Sequence, residues 1–221
     1  MRELLDNSNA TKLNLANSLA ISQTHYENFP VASFILPKHL RRPIALIYAF
    51  ARQADDFADE GNMPDAERLN NLNYFKSQLD LISTNTKSQL DLFNALGEMV
   101  REYKLPLQPF YDLLDAFSQD VTKARYANFS EIQDYCARSA NPIGQLLLHL
   151  YKLATPQNLT YANHICTSLQ LINFYQDIAI DFESTYHKRR IYLCQDEMLQ
   201  FNVTEAQIAS KHVDENWQRL M

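Results

Sequence analysis

Glycine is nearly missing: the chain has three in 221 residues, against twelve phenylalanines and twelve tyrosines. Turn-rich β folds draw on glycine for positive φ at their hairpins, so this composition argues against them and for long packed helices. A positive net charge is also missing; the formal value is −6, which removes nucleic-acid binding through a basic surface. Cysteine is sparse. Cys136, Cys166 and Cys194 are odd in number, far apart and without a Cys-x-x-Cys pair, which fits a reducing, cytoplasmic compartment. No apolar run reaches the roughly 18 residues that a membrane span needs. The opening MRELLDNSNATKLNLANS holds no apolar signal core, so a soluble protein, or one peripheral at the inner membrane, is expected.

Several chemistries lack their letters. Glu-x-x-His pairs for a di-iron bundle, His-Glu-x-x-His for a zinc protease, a P-loop, Gly-x-Gly-x-x-Gly and Gly-x-Ser-x-Gly are all absent.

What is present is an apolar run that turns acidic, PIALIYAFARQADDFADE, from Pro43 to Glu60. At about 3.6 residues per turn, Tyr48, Arg52, Asp55 and Asp59 fall on one face of one helix, and nearly everything else in the segment is apolar. Burying such a stripe costs several kcal/mol per unpaired ion, so a cation is expected to meet Asp55 and Asp59. A second stripe occurs in LQLINFYQDIAIDF, where Asn173, Asp177 and Asp181 are spaced i, i+4, i+8 on another apolar helix. Two such helices facing each other across a cavity suit hard divalent cations, and Mg2+ shares its shell with waters and phosphate oxygens. Lys188, Arg189 and Arg190 follow closely, where an anion held by metals would lie.

A helical pocket of this kind can ionise a diphosphate and shelter the resulting carbocation behind apolar walls. His25, Asn28 and Phe29, just before Pro30, either line the pocket mouth or pack the helix entrance. Lys38, Arg41 and Arg42 read as a solvated face, and Asp120 as a surface acid near the end of a helix over Pro109–Arg125. A short helix is expected from about Val31, with Pro37 and Pro43 marking the start of the acidic-stripe helix. Other helices are expected over Asp65–Ser83 and Gln89–Tyr103, after an N-cap at Ser130, and from a capping box at Thr204 through Trp217. Asn141-Pro142 predicts a kink. Residues 1–20 read as a flexible N-terminus and 21–221 as a single all-α domain, a helical bundle around a central apolar cavity. The final helix has no stop signal, which suggests a domain truncated at its C-terminus.

YAFARQADDFAD resembles the first aspartate-rich motif of the squalene and phytoene synthase family, and NFYQDIAID with KRRIYL resembles the second. The opening HYENFPVASFILPKHLRRP and CARSANPIG are most similar to the hydroxysqualene synthase (HpnC-type) branch of hopanoid biosynthesis. The resemblance implies a class I isoprenoid synthase fold with Asp55, Asp59, Asn173, Asp177 and Asp181 around Mg2+, or Mn2+ in its place. It also implies that Tyr48, Arg52, Tyr126, Lys188, Arg190 and Tyr192 surround the diphosphate or the reacting carbons, with His25, Asn28, Phe29 and Gln170 in the same substrate set. For this branch the implied reaction is conversion of presqualene diphosphate to hydroxysqualene by ionisation, rearrangement and water capture, without NADPH. The implied partners are an isoprenoid diphosphate, enzymes of the same route and a membrane surface, and no nucleic acid. Cys194 departs from the proline usual after the tyrosine–leucine pair, and the family's C-terminal helices are missing. Condensation of two farnesyl or geranylgeranyl diphosphates, and a non-catalytic assembly factor, stay open as alternatives.

Overall fold

The computed structural model describes residues 36–183 and 190–221. Expectations for His25, Asn28, Phe29, the helix from Val31, Lys188 and Arg189 lie outside these residues. Eleven helices and two short strands are described, in the order α1 Lys38–Asp59, α2 Asp65–Ser83, α3 Asp91–Tyr103, α4 Gln108–Thr122, β1 Arg125–Tyr126, α5 Phe129–Ser139, α6 Asn141–Leu150, α7 Pro156–Gln176, α8 Ile178–Glu183, β2 Ile191–Cys194, α9 Gln195–Gln200, α10 Glu205–Ala209 and α11 Glu215–Leu220.

Helix α1 is the hub and packs on α2, α3, α4 and α6. It begins at Lys38, so Pro43 lies inside it instead of opening it. A proline there has no N–H to give His39, whose carbonyl accepts instead from the Tyr103 hydroxyl of α3 at 2.9 Å. The other end is capped from a distance. Gly61 turns the chain at φ +72°, and the buried Arg68 donates to the carbonyls of Phe57, Gly61 and Met63, satisfying groups a helix end leaves open. Between these ends Phe50 is wholly buried, its ring 5.9 Å from Phe75, 5.9 Å from Phe93 and 5.2 Å from Phe110, so one aromatic cluster joins α1, α2, α3 and α4.

The second half hangs on a feature the sequence reading lacked. β1 and β2 pair in parallel, Arg125 against Ile191 and Tyr126 against Cys194, with an irregularity between. Strands this short offer no alternation to read. Helix α5 is capped by Asn128, whose side chain accepts from the Glu131 N–H at 3.1 Å, so Ser130 lies inside the helix and is not its cap. The kink expected at Asn141-Pro142 is a full break at Ala140, after which α6 runs back along α7. Asn141 accepts from Thr167 at 3.0 Å and Gln145 donates to Asn163 at 3.0 Å. Gly144 permits the close approach: a Cβ there would stand 2.6 Å from the Cys166 sulfur.

Two helices differ from expectation in other ways. The helix from Thr204 stops at Ala209, because Asp214 caps a separate α11 by accepting from the Trp217 N–H at 2.8 Å. The sequence of α7 reads as a buried apolar helix, yet of its residues only Phe174 is buried. Tyr161, Ile165, Leu169 and Ile172, at i, i+4, i+8 and i+11, form a stripe that is half or more exposed.

Candidate active site

The acidic face of α1 forms as its spacing implies, and its charges are met by protein cations. Arg52 pairs with Asp56 at 2.8 Å and reaches Asp55 at 3.7 Å on its own helix. Asp59 is met from the residue just before β2: the Arg190 guanidinium lies 3.3 Å away. Arg190 is the centre of the site. It is 4% exposed, pairs with Asp120 at 3.7 Å, donates to the Asp120 carbonyl at 2.9 Å and donates to the Tyr192 hydroxyl at 3.1 Å. A buried guanidinium needs this much compensation, since desolvation costs several kcal/mol per ion.

Asp120 corrects the sequence reading. It is 5% exposed, not a surface acid. The signal was in the letters: Leu113, Ala116 and Asp120 fall at i, i+3 and i+7, so the aspartate occupies a core position of α4. Its carboxylate accepts from the Tyr135 hydroxyl of α5 at 2.7 Å. Burial pushes the Asp120 carboxyl up to about 7; Arg190 and Tyr135 pull it down, and Asp59 and Asp55 push it further up. Tyr135, which the sequence reading left without a role, stands beside Ile132 and Cys136 on the inner face of α5. Burial raises the phenols of Tyr126, Tyr135 and Tyr192, so all three remain hydroxyl donors at neutral pH.

Aromatic rings join the two halves. Tyr192 stacks on Phe174 of α7 with centroids 3.7 Å apart, and on Tyr126 at 5.5 Å. The sequence Asp59, Arg190, Tyr192, Phe174 is therefore a continuous bridge from the first acidic helix to the residue after Asn173. Tyr126 is fully buried beneath Tyr192, and Gln119, itself bonded to Arg138, donates to its hydroxyl at 3.3 Å.

The second stripe crosses the junction of α7 and α8 without losing register. The Asp177 N–H donates to the Asn173 carbonyl at 2.9 Å and the Asp181 N–H to the Asp177 carbonyl at 2.8 Å, so the three side chains share one face. Asn173 and Asp177 are exposed; Asp181, Gln170 and Tyr192 are half-buried, and Tyr48 is exposed. Lys38 and Arg42 are exposed, as a solvated face requires; Arg42 pairs with Glu98 and Arg41 donates to the Leu36 carbonyl.

Among the described residues no three His, Cys, Asp or Glu side chains converge tightly enough to cage an ion unaided. The donors are carboxylate and amide oxygens, presented in pairs at helical spacing. That set fits a hard cation such as Mg2+, which takes one or two carboxylates and completes its shell with water and phosphate oxygen. No helix among the described residues is long and apolar enough to cross a membrane.

The same arrangement has relatives. A family model described as squalene/phytoene synthase matches residues 22–221. A hydroxysqualene synthase of Zymomonas mobilis is 35% identical over 202 residues, covering 91% of this chain and 66% of its own length. A phytoene synthase of Arthrospira platensis is 28% identical over 211 residues, covering 91% and 67%. The crystal structure of squalene synthase HpnC from Alicyclobacillus acidocaldarius aligns with a TM-score of 0.80 at 28% identity, over 96% of this chain and 77% of that one. The chain spans about two thirds of the length of these curated relatives. With its helical fold and both acidic motifs in place, the chain belongs to the squalene/phytoene synthase family.

Proposed function

We propose that this protein is a Mg2+-dependent enzyme that converts presqualene diphosphate to hydroxysqualene. The observation that carries the reading is the bridge from Asp59 through Arg190 and Tyr192 to Phe174, which joins the two acidic helices. The hydroxysqualene synthase of Z. mobilis, at 35% identity, supports the choice of reaction.

In this reading Asp55 and Asp59 on one side and Asn173, Asp177 and Asp181 on the other hold Mg2+, with Mn2+ as a substitute. Bound there, the metal supplies a Lewis acid that draws electron density from the bridging oxygen of the diphosphate. Arg190 and Lys188 neutralise the leaving group, and Arg52 does so from α1. Tyr48 presents a ring face that steadies a cation by about 0.5 to 2 kcal/mol, and Tyr192, held between Phe174 and Tyr126, keeps its hydroxyl on Arg190. Tyr126 supports Tyr192 from below. Leu169, Ile172 and the rest of the exposed α7 stripe offer the hydrocarbon tails an apolar surface to lie along. Water, not hydride, captures the cation, so the reaction needs no NADPH. In this reading the protein works in the cytoplasm, and its lipid substrate and product favour a peripheral position at the inner membrane near the enzymes of the same route.

The test is incubation with Mg2+ and presqualene diphosphate, with diphosphate release and product mass as readouts. Asp55→Asn and Asp177→Asn should each lower release about 100-fold or more while far-UV circular dichroism is unchanged. Undiminished turnover in either variant refutes the assignment. The phytoene synthase of A. platensis favours a second reading, condensation of two farnesyl or geranylgeranyl diphosphates, which the same assay detects as a C30 or C40 hydrocarbon from those substrates.

A further inference from the structure

The reaction proposed above gives Asp120 no task, yet a carboxylate in the core is costly unless something compensates it. An acid kept only for packing would settle into a closed ion pair, as Glu205 does with Arg125 at 2.7 and 2.8 Å. Asp120 does not. Its Oδ2 accepts from the Tyr135 hydroxyl at 2.7 Å, but its Oδ1 is buried without a hydrogen bond and stands 3.7 Å from Nη1 of Arg190. Nη2 of the same guanidinium reaches Asp59 at 3.3 Å, also longer than a charge-assisted hydrogen bond ordinarily runs.

Arg190 is thus shared between two carboxylates and closed on neither. Neutral acceptors keep it there: the Asp120 carbonyl accepts from Nη2 at 2.9 Å and the Tyr192 hydroxyl from Nη1 at 3.1 Å, and Tyr192 is itself held between Phe174 and Tyr126. A divalent cation that takes Asp59 as a ligand therefore meets a fixed positive charge 3.3 Å from the oxygen it needs. Two cations this close in a buried site repel strongly unless one is compensated. Asp120 is placed to compensate Arg190, since a shift of about 1 Å would bring Oδ1 to hydrogen-bond distance of Nη1.

We propose that Asp120 is a positioning residue for the metal site, taking over the charge of Arg190 when Asp59 turns to a divalent cation. This rests on the metal reading given above. In the free protein Arg190 serves as a counter-ion of Asp59. In the loaded protein the guanidinium closes on Asp120 while its bonds to the Asp120 carbonyl and to Tyr192 persist, so it stays in place and Asp59 is released to the metal. Tyr135, bonded to Oδ2, leaves Oδ1 for this exchange.

The experiment measures Mn2+ binding, as loss of the free-ion electron paramagnetic resonance signal, in wild type, Asp55→Asn, Asp120→Asn, Arg190→Met and the double variant Asp120→Asn/Arg190→Met, with far-UV circular dichroism reporting the fold. Wild type should bind Mn2+ and Asp55→Asn should bind it more weakly, which assigns the signal to the acidic face of α1. Asp120→Asn leaves the charge of Arg190 to Asp59 and should weaken binding about tenfold or more. Arg190→Met removes the opposing charge and should bind as tightly as wild type or tighter. The double variant carries neither buried charge, so it keeps the test open if Asp120→Asn does not fold, and it should bind within about threefold of wild type. A merely structural Asp120 would lower stability without this reversal of sign. Binding by Asp120→Asn within about twofold of wild type, or a double variant weakened about tenfold, overturns the role of Asp120 and leaves the metal reading standing. No Mn2+ binding by wild type, or binding indifferent to Asp55→Asn, overturns the metal reading and this role together.

Discussion

Replacing Arg190 by methionine keeps an apolar stem of similar length and deletes the charge that holds Asp59, Asp120 and Tyr192 together. Removing one partner of a buried pair costs about 3 to 5 kcal/mol, because the other charge is left without compensation. Asp59 is partly exposed and can regain water, so the cost falls mainly on Asp120, which also loses the donor to its carbonyl at 2.9 Å. Asp120 has one escape, protonation. Its carboxyl is raised by burial to about 7 from the ordinary 3.8, so the proton-linked stability it contributes is fully present below about pH 3.8 and is lost as pH rises through about 7. Arg190 is a group that pulls this value down. Without it the folded-state value moves higher, and the loss of stability continues to higher pH. The difference between wild type and Arg190→Met should therefore be small near pH 5, about 1 to 2 kcal/mol, and approach the full 3 to 5 kcal/mol near pH 8. Adding Asp120→Asn to Arg190→Met should recover most of the loss at pH 8. Urea unfolding of wild type, Asp120→Asn, Arg190→Met and the double variant at both pH values measures this. Additive losses in the double variant, with coupling below about 0.5 kcal/mol, or a difference that does not change with pH, would refute the reasoning.

Phe50→Ala opens the junction of four helices and should cost about 3 to 5 kcal/mol in urea unfolding, where a surface phenylalanine such as Phe129 should cost under about 0.5. Gly144→Ala drives a methyl to 2.6 Å from the Cys166 sulfur and should lower stability by about 1 to 3 kcal/mol, most of it restored by Cys166→Ala in the same chain. Unaltered thermal midpoints would show that α6 and α7 can part without cost. Asn128→Ala removes the cap of α5 and should cost about 1 kcal/mol, while Ser130→Ala should cost much less; equal losses would return the cap to Ser130.

Periodicity alone placed Tyr48, Arg52, Asp55 and Asp59 on one face of α1, and Asn173, Asp177 and Asp181 on one face of α7 and α8, because spacing along a helix is local and needs no knowledge of neighbours. The scarcity of glycine and the run of apolar stripes likewise made the helical class legible. Local pattern failed where an element's environment is made by residues far along the chain. Asp120 stands at a core position of α4, but the counter-ion that makes a buried acid tolerable there, Arg190, is 70 positions away and leaves no local sign. β1 was invisible because two residues carry no alternation, and their partner strand begins 66 positions later at Ile191. The exposed stripe of α7 looked like core because apolarity in sequence says that a face seeks cover, not what covers it. The sequence by itself thus determined which side chains travel together on each helix. Only the tertiary structure decided which helices meet, that Arg190 closes the first motif onto Asp120, and that Tyr192 carries the contact on to Phe174. The physical reason is that burial and charge pairing are properties of the space between elements, and that space exists only after the chain has folded.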